Sequence, residues 1–203
     1  MKKLMLIALV IGLNALGVAC SANKDAASEG TGSASAPASP AANVAASKSD
    51  DIPAAVHAAL PNAQSITKQH KDLTDAQAAS IEKQSGLKLD DKDHHSYLSF
   101  ANEGGARKQV GAASLVKANG HEVVVVYASE NGSPMIKEVH GESGGVPHTF
   151  LDQFKGKGHD SKLRLGQDIK AQGVDEATAR ALTDAIRLDV VTMQTLYGAA
   201  HSH

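Results

Sequence analysis

The spacing of apolar positions changes several times along this chain, and each change marks an element. Leu4 to Val18 is a nearly unbroken apolar run. From Ser21 to about Ser49 there is Ala, Ser, Gly and Pro without any period. Beyond Asp50, helical and strand periods alternate. Asp51-Ile52-Pro53-Ala54-Ala55-Val56 predicts a short helix with Pro in its first turn, where a missing N–H costs nothing, and Leu60-Pro61-Asn62 stops it. Ser65 to His70 alternates as a half-buried strand does. Thr74 caps a second helix, with Gln77 three residues on as its reciprocal partner. That helix carries Ala78, Ile81 and Gln84 and ends at Ser85-Gly86, Gly taking the position that needs a left-handed backbone.

A period of two follows. Asp90 to His95 reads as a polar loop that carries His94 and His95. Ser96–Phe100 is one strand and Lys108–Lys117 a second, interrupted at Gly111. Asn119-Gly120 and Asn131-Gly132 are hairpin turns, because both residue types accept the positive φ that a tight hairpin demands. Between them Glu122–Tyr127 is a central strand, apolar on both faces, and Met135–His140 closes the meander. After Gly144-Gly145-Val146-Pro147, Thr149–Phe154 reads as helical, followed by a strand-like run to Asp168-Ile169 and a turn at Gly173. In the last helix Leu182, Ile186, Val190, Met193 and Tyr197 recur at steps of three and four, which makes one apolar stripe. The stripe is expected to pack on the sheet beside Val124 and Val126, with Thr183, Asp184 and Arg187 off it. These elements predict an α+β fold, an antiparallel sheet with helices packed on one face.

The N-terminus changes the picture. Lys2 and Lys3 precede the apolar run, which is too short to span a bilayer and is broken by Gly12 and Asn14. It ends at Leu16-Gly17-Val18-Ala19-Cys20, which resembles a bacterial lipoprotein cleavage box. Cys20 is the only cysteine, so it cannot form an internal disulfide, and it is expected to be the acylated first residue of the mature lipoprotein. Acyl chains anchor at about 0.8 kcal/mol per buried CH₂, and more than one chain is needed for stable attachment. The chain therefore divides into a signal peptide at 1–19, a lipidated Cys and flexible linker at 20–49, and a folded domain at 50–203. The linker has too little to bury to offset its ordering entropy. Ser21 after the Cys resembles the outer-membrane sorting pattern. The expected location is the periplasmic side of the bacterial cell envelope, with the membrane as a partner through the anchor.

Composition removes several function classes. A net charge of -2 without a basic stripe excludes a nucleic-acid partner. Trp is absent and aromatics are 3%, which leaves little material for a platform that stacks bases or sugars. The chain has 10 His, among them His140, His148, His159, His201 and His203, and such residues can take zinc or copper. No His-x₃-His pattern, no Cys ligand in the folded domain and no haem-attachment motif accompanies them, so they read as surface histidines and no metal site is assigned. No nucleophile elbow, phosphate loop or zinc-protease motif is present, and Ser143-Gly144-Gly145 near His148 reads as a turn. No hydrolase or transferase role is expected from these residues.

Taken in order from Leu60 to Tyr197, these pieces resemble the FMN-binding domain family of the Rnf and sodium-pumping NADH:quinone reductase complexes and related lipoproteins. Leu60-Pro61-Asn62-Ala63 with Leu73-Thr74-Asp75-Ala76-Gln77 looks like its opening segment, Val123–Tyr127 with Asn131-Gly132 and Ile136–Val139 like its central hairpin, and Phe150–Gly156 like the helix before its flavin motif. In that family a Ser-Gly-Ala-Thr motif opens the last helix, and its Thr takes FMN as a phosphodiester. Two registers align the motif here. Matching Arg180-Ala181-Leu182 to the family's Arg-Ala-Val needs no gap and puts Gly173-Val174-Asp175-Glu176 on the motif, with Glu176 at the acceptor position. Matching Ala177-Thr178 directly makes Thr178 the acceptor.

The resemblance implies an FMN site at Gly173, Asp175, Glu176 and Thr178, with Lys155 and Lys157 in reach of the phosphate. Electrostatics oppose it. A free helix N-terminus favours an anion by about 1–2 kcal/mol. One carboxylate about 4 Å from a phosphate charge costs roughly 4 kcal/mol at an effective dielectric near 20. FMN is thus the implied cofactor, and its covalent attachment is not expected at Glu176. The expected function is a lipid-anchored extracytoplasmic protein of membrane-associated electron transfer, as flavin carrier or accessory, with a membrane redox complex as partner. The alternative is a lipoprotein that kept the scaffold and binds a metal, haem or a protein partner without flavin.

Overall fold

The computed structural model describes residues 51–141 and 145–198 of the chain. Cys20, the signal peptide, the linker, Ser143-Gly144 and the terminal His201 and His203 lie outside them. The elements run α1 (Ala54–Ala59), β1 (Ser65–Asp72), α2 (Asp75–Ser85), β2 (Asp93–Glu103), β3 (Ala106–Ala118), β4 (His121–Glu130), β5 (Ser133–Gly141), α3 (His148–Leu151) with a 3-10 turn at Asp152–Phe154, and α4 (Glu176–Tyr197). The strands form one antiparallel meander in the order β1-β2-β3-β4-β5. The fold is α+β, as the pattern predicts, but helices cover both faces of the sheet rather than one, α1 lying opposite α4. No helix among the described residues is long and apolar enough to cross a membrane.

Local chemistry sets the boundaries. Thr74 accepts from the Gln77 amide at 3.2 Å while the Gln77 side chain accepts from the Thr74 amide at 3.0 Å, so two orphan donors of α2 are satisfied. Asn119-Gly120 and Asn131-Gly132 close the β3–β4 and β4–β5 hairpins, each pair with both φ angles positive. At Gly111 a Cβ would lie 3.1 Å from Ser99 Oγ and 3.2 Å from the Tyr127 carbonyl, beside the register shift between Ser99 and Phe100. Glycine there lets the bulged strands approach.

Each face of the sheet has its own core. Leu98, Ala112, Val116, Val123, Val125, Tyr127, Ile136 and Val139 pack against Leu182, Ile186, Val190 and Met193 of α4, with Phe150, Phe154, Leu163 and Ile169 closing one end. Opposite, Tyr97, Ala113, Val124 and Val126 pack against Val56, Ala59 and Leu60 of the α1 segment. Ile81 of α2 meets Val191 of α4 behind Leu73.

Four further sequence expectations need correction. The α4 stripe meets Val123, Val125 and Tyr127, not Val124 and Val126, which belong to the α1 face. Thr183 is fully buried, its hydroxyl donating to the Ala179 carbonyl at 2.6 Å, so the buried arc of α4 is wider than the stripe. His94 and His95 stand in strand β2 rather than a loop, because β1 and β2 stay paired out to Asp72 and Asp93. The run before Asp168 is not a strand; only isolated bridges, Met135 to Gly158 and Leu165 to Ile169, touch that segment. The Asp168 carboxylate accepts the Leu163 and Arg164 amides, both at 2.9 Å, and curls the chain around a buried Leu163 held at φ 45°.

Candidate functional site

The start of α4 is the first place to look, since the flavin motif aligns there. Asp175 is the N-cap and accepts the Thr178 amide at 2.9 Å. The Thr178 hydroxyl and amide beside it hold the Asp175 carboxyl below the usual carboxylate range. The Thr178 side chain is buried, 3% exposed, and its hydroxyl accepts from the Asn119 side-chain amide at 2.8 Å. The β3–β4 hairpin tip is thereby clamped to the helix start. Glu176 is exposed and pairs with Arg180 at 2.8 Å, one turn on. Gly173 has φ 74°, and a Cβ would come within 3.0 Å of Pro147 Cγ. Lys155 is exposed at the end of the 3-10 turn. Lys157 is half-buried, its main chain pairs with Ile136, and its charge acts on Asp168. Among the described hydrogen bonds and ion pairs, none joins either lysine to Asp175, Glu176 or Thr178. The six positions are therefore split between a closed helix cap and a separate loop.

A covalent FMN does not fit this cap in either register. Thr178 has its hydroxyl inside the protein and engaged, and Glu176 has no hydroxyl. The Asp175 carboxylate stands where a phosphate would need the free N–H groups of the helix, and Glu176 adds a second negative charge in its first turn.

Further along α4 the sheet and helix share a buried polar network. The Asp189 carboxylate accepts the Tyr127 hydroxyl at 2.5 Å and also the Ser114 hydroxyl. Ser114 and Tyr127 are 1% and 2% exposed. Burial, with the Asp189 charge beside it, pushes the Tyr127 phenol well above its ordinary range. One strand over, Ser96 shares a 2.7 Å hydrogen bond with the Tyr197 hydroxyl, which also reaches Gln69 at 3.4 Å. Burial raises the Tyr197 phenol too, against the Ser96 bond that favours its ionised form. A cavity of about 530 Å³ opens beside these residues, lined by Val110, Gly111, Tyr127, Pro134, Met193 and Tyr197. No local sequence pattern predicts this network. Its signal is visible in retrospect: Ser96 and Ser114 interrupt apolar strands, and Asp189 sits three residues after Ile186 on a buried helix.

On the other side of α4, Arg164, Arg180 and Arg187 line a groove of about 350 Å³ with Gly86, Gln167 and Asp184. Arg187 holds Asp184 at 3.3 Å, and its buried Nε has no partner.

A separate cluster stands at the open end of β1–β2. His70 Nε2 lies 2.6 Å from Asp93 Oδ1, and His95 Nδ1 lies 3.7 Å from the same oxygen. The two imidazole rings stack with centroids 5.0 Å apart and planes 13° from parallel.

Compared with known protein families, curated proteins and solved structures, the chain gives no match.

Proposed function

We propose that this chain is a lipid-anchored extracytoplasmic accessory of membrane-associated electron transfer, built on an FMN-binding-domain-like scaffold and carrying no flavin on a phosphodiester. The closed cap of α4 is the observation that carries the second half of this reading. Asp175 fills the helix N-terminus, Glu176 pairs with Arg180, and the buried Thr178 hydroxyl binds Asn119. Supporting the first half are the order of the motifs from Leu60 to Tyr197 and the apolar segment ahead of Cys20. A protein of this kind acts by docking to a redox complex at the membrane rather than by holding the electrons itself. FMN supplies one- and two-electron chemistry where the family binds it; here the residues at the motif serve to close the helix and pin the hairpin.

The second reading is a non-flavin binding lipoprotein that takes a metal, haem or a protein partner. The His70–Asp93–His95 cluster favours it. An absorbance spectrum and an intact mass of the chain, co-produced with a flavin transferase, separate the possibilities. The proposal expects no flavin band and an unchanged protein mass. An added FMN mass that disappears in Thr178→Ala would sink it, because it would require the cap to open and expose that hydroxyl. A haem band would support the second reading instead.

A further inference from the structure

We propose that His70, Asp93 and His95 form a surface site for a divalent transition-metal ion, with copper(II) bound more tightly than zinc(II). The site follows from register. Strands β1 and β2 pair antiparallel so that His70 faces His95 and Asp72 faces Asp93. Side chains alternate between faces, so these four residues share one side of the ribbon. The ladder continues past them into a Leu73 amide to Lys92 carbonyl bond of 2.8 Å, which holds the two strands together at that end.

The donor atoms already stand near metal-binding separation. One atom from each of His70, Asp93 and His95 lies within 4.8 Å of the others. Ligands about 2.0–2.1 Å from a common ion are roughly 3–3.4 Å apart in octahedral or tetrahedral geometry. The two contacts to Asp93, 2.6 Å and 3.7 Å, bracket that spacing, and because the rings stack nearly parallel, one imidazole turns about its side-chain bonds to aim its nitrogen at the shared ion. Two imidazoles and one carboxylate form a nitrogen–oxygen set of the kind that copper and zinc take, and copper(II) leads the divalent series in affinity. Asp72 Oδ1 lies 3.6 Å from His70 Nε2 and stands beside the three as an outer carboxylate.

The surrounding charges leave the site available. Asp93 is paired with the two imidazoles. Two nearby lysines are committed elsewhere, Lys92 to Asp75 at 2.5 Å and Lys68 to Asp51 at 3.1 Å, and Lys71 alternates to the other side of the ribbon. The side chains of His70, His95 and Asp93 are 55%, 43% and 37% exposed, so an ion can enter without opening the fold. That exposure also leaves coordination positions to water, which fits an exchangeable site rather than a structural one. The ordinary alternative is a surface His–Asp ion pair that binds nothing, and the experiment decides between them.

The test is titration of the detergent-solubilised full chain with copper(II) and, separately, zinc(II), read by calorimetry and by the copper electron-paramagnetic-resonance spectrum. The site predicts one tight equivalent whose spectrum shows coupling to two imidazole nitrogens. His70→Ala and His95→Ala should each remove one nitrogen coupling and weaken that equivalent by at least about tenfold, and Asp93→Asn should weaken it while keeping both nitrogens. His57→Ala with His148→Ala, remote from the ribbon end, should leave the step unchanged. These positions are exposed, and unchanged far-UV circular dichroism verifies that each variant folds. A tight equivalent that survives in His70→Ala/His95→Ala would place the metal elsewhere, at the terminal histidines for example, and would overturn the assignment. So would the absence of any tight equivalent. The outcome is independent of the flavin reading, since neither metal titration nor these variants involves the α4 cap.

Discussion

Tyr127→Phe tests the buried network at its center. The substitution removes one hydroxyl and keeps the ring, so the apolar packing of β4 on α4 is preserved. Its cost is the 2.5 Å hydrogen bond to Asp189. Hydrogen bonds to charged groups contribute about 1.5–3 kcal/mol net. Asp189 keeps its bond from Ser114, so the carboxylate is not left bare, and a loss of about 2 kcal/mol near neutral pH is expected. The pH dependence is the sharper signature. In the unfolded chain a tyrosine releases its proton near pH 10, whereas burial beside Asp189 keeps Tyr127 protonated well above that. Above about pH 10 the native state therefore binds more protons than the unfolded state, and stability falls as pH rises, by about 1.4 kcal/mol per unit from this one group. The contribution is fully present below the unfolded value and is lost toward the folded one.

Phenylalanine has no such proton. The gap between the parent protein and Tyr127→Phe should therefore narrow as pH rises above about 10. Tyr97 and Tyr197 are also raised, chiefly by burial, but they occur in both proteins and cancel in the difference. Urea denaturation followed by circular dichroism is the assay, since the chain has no Trp to report by fluorescence. A gap that stays constant from neutral pH into the alkaline range would refute the reasoning, as would a variant as stable as its parent at neutral pH.

Three other consequences are open to measurement. Leu182→Ala or Ile186→Ala should cost about 2–5 kcal/mol and Thr183→Ala about 1–2, while Arg180→Ala, on the solvent side, should cost under about 0.5; equal small losses in a denaturation series would mean that α4 does not dock on the sheet. Asp175→Ala should lower the thermal midpoint near neutral pH, and because this carboxyl is held below its ordinary range, the difference should persist down to about pH 3.9 and fade below it as the folded-state carboxyl takes up its proton; a difference that persists in strong acid contradicts the capping role. In Asp168→Ala the amides of Leu163 and Arg164 lose their acceptor, so their hydrogen exchange should speed up while that of β4 does not; unchanged exchange at both amides would show that the loop is held by something else.

Much of the fold is legible because its signals are local. Thr74 with Gln77, Gly86, and the two Asn-Gly turns each act within a few residues, and each stands where the pattern places it. What escaped is long-range. Gln69, Ser96 and Tyr197 are separated by up to 128 positions, and only the docking of α4 brings them together. The His70–His95 cluster escaped for a related reason: His95 reads as loop until β1 and β2 are paired, and the pairing depends on how far the ladder runs beyond the apolar residues. The flavin positions show the converse. Asp175 and Glu176 are legible as a cap and a first-turn acid from sequence alone, but the burial of Thr178 depends on Asn119, a hairpin residue 59 positions away.

The misplaced face of β4 has a particular cause. Val123, Val124, Val125, Val126 and Tyr127 are all buried, so the strand carries no alternation from which to choose which residues meet α4. A shift of one residue exchanges the two sets and leaves hydrophobicity unchanged. Polar residues break that tie. Ser114 pairs in register with Val125, on the face toward α4, and Tyr127 lies on that same face. Turning β3 and β4 over would carry both hydroxyls away from Asp189, leave a carboxylate facing apolar side chains, and bury Ser114 and Tyr127 against α1. The cost of one buried unsatisfied polar group is about 1–3 kcal/mol, and more for a charge. Together these exceed what any exchange of valines can return. The Ser114–Asp189–Tyr127 contact thus selects which of two equally apolar faces receives the long helix.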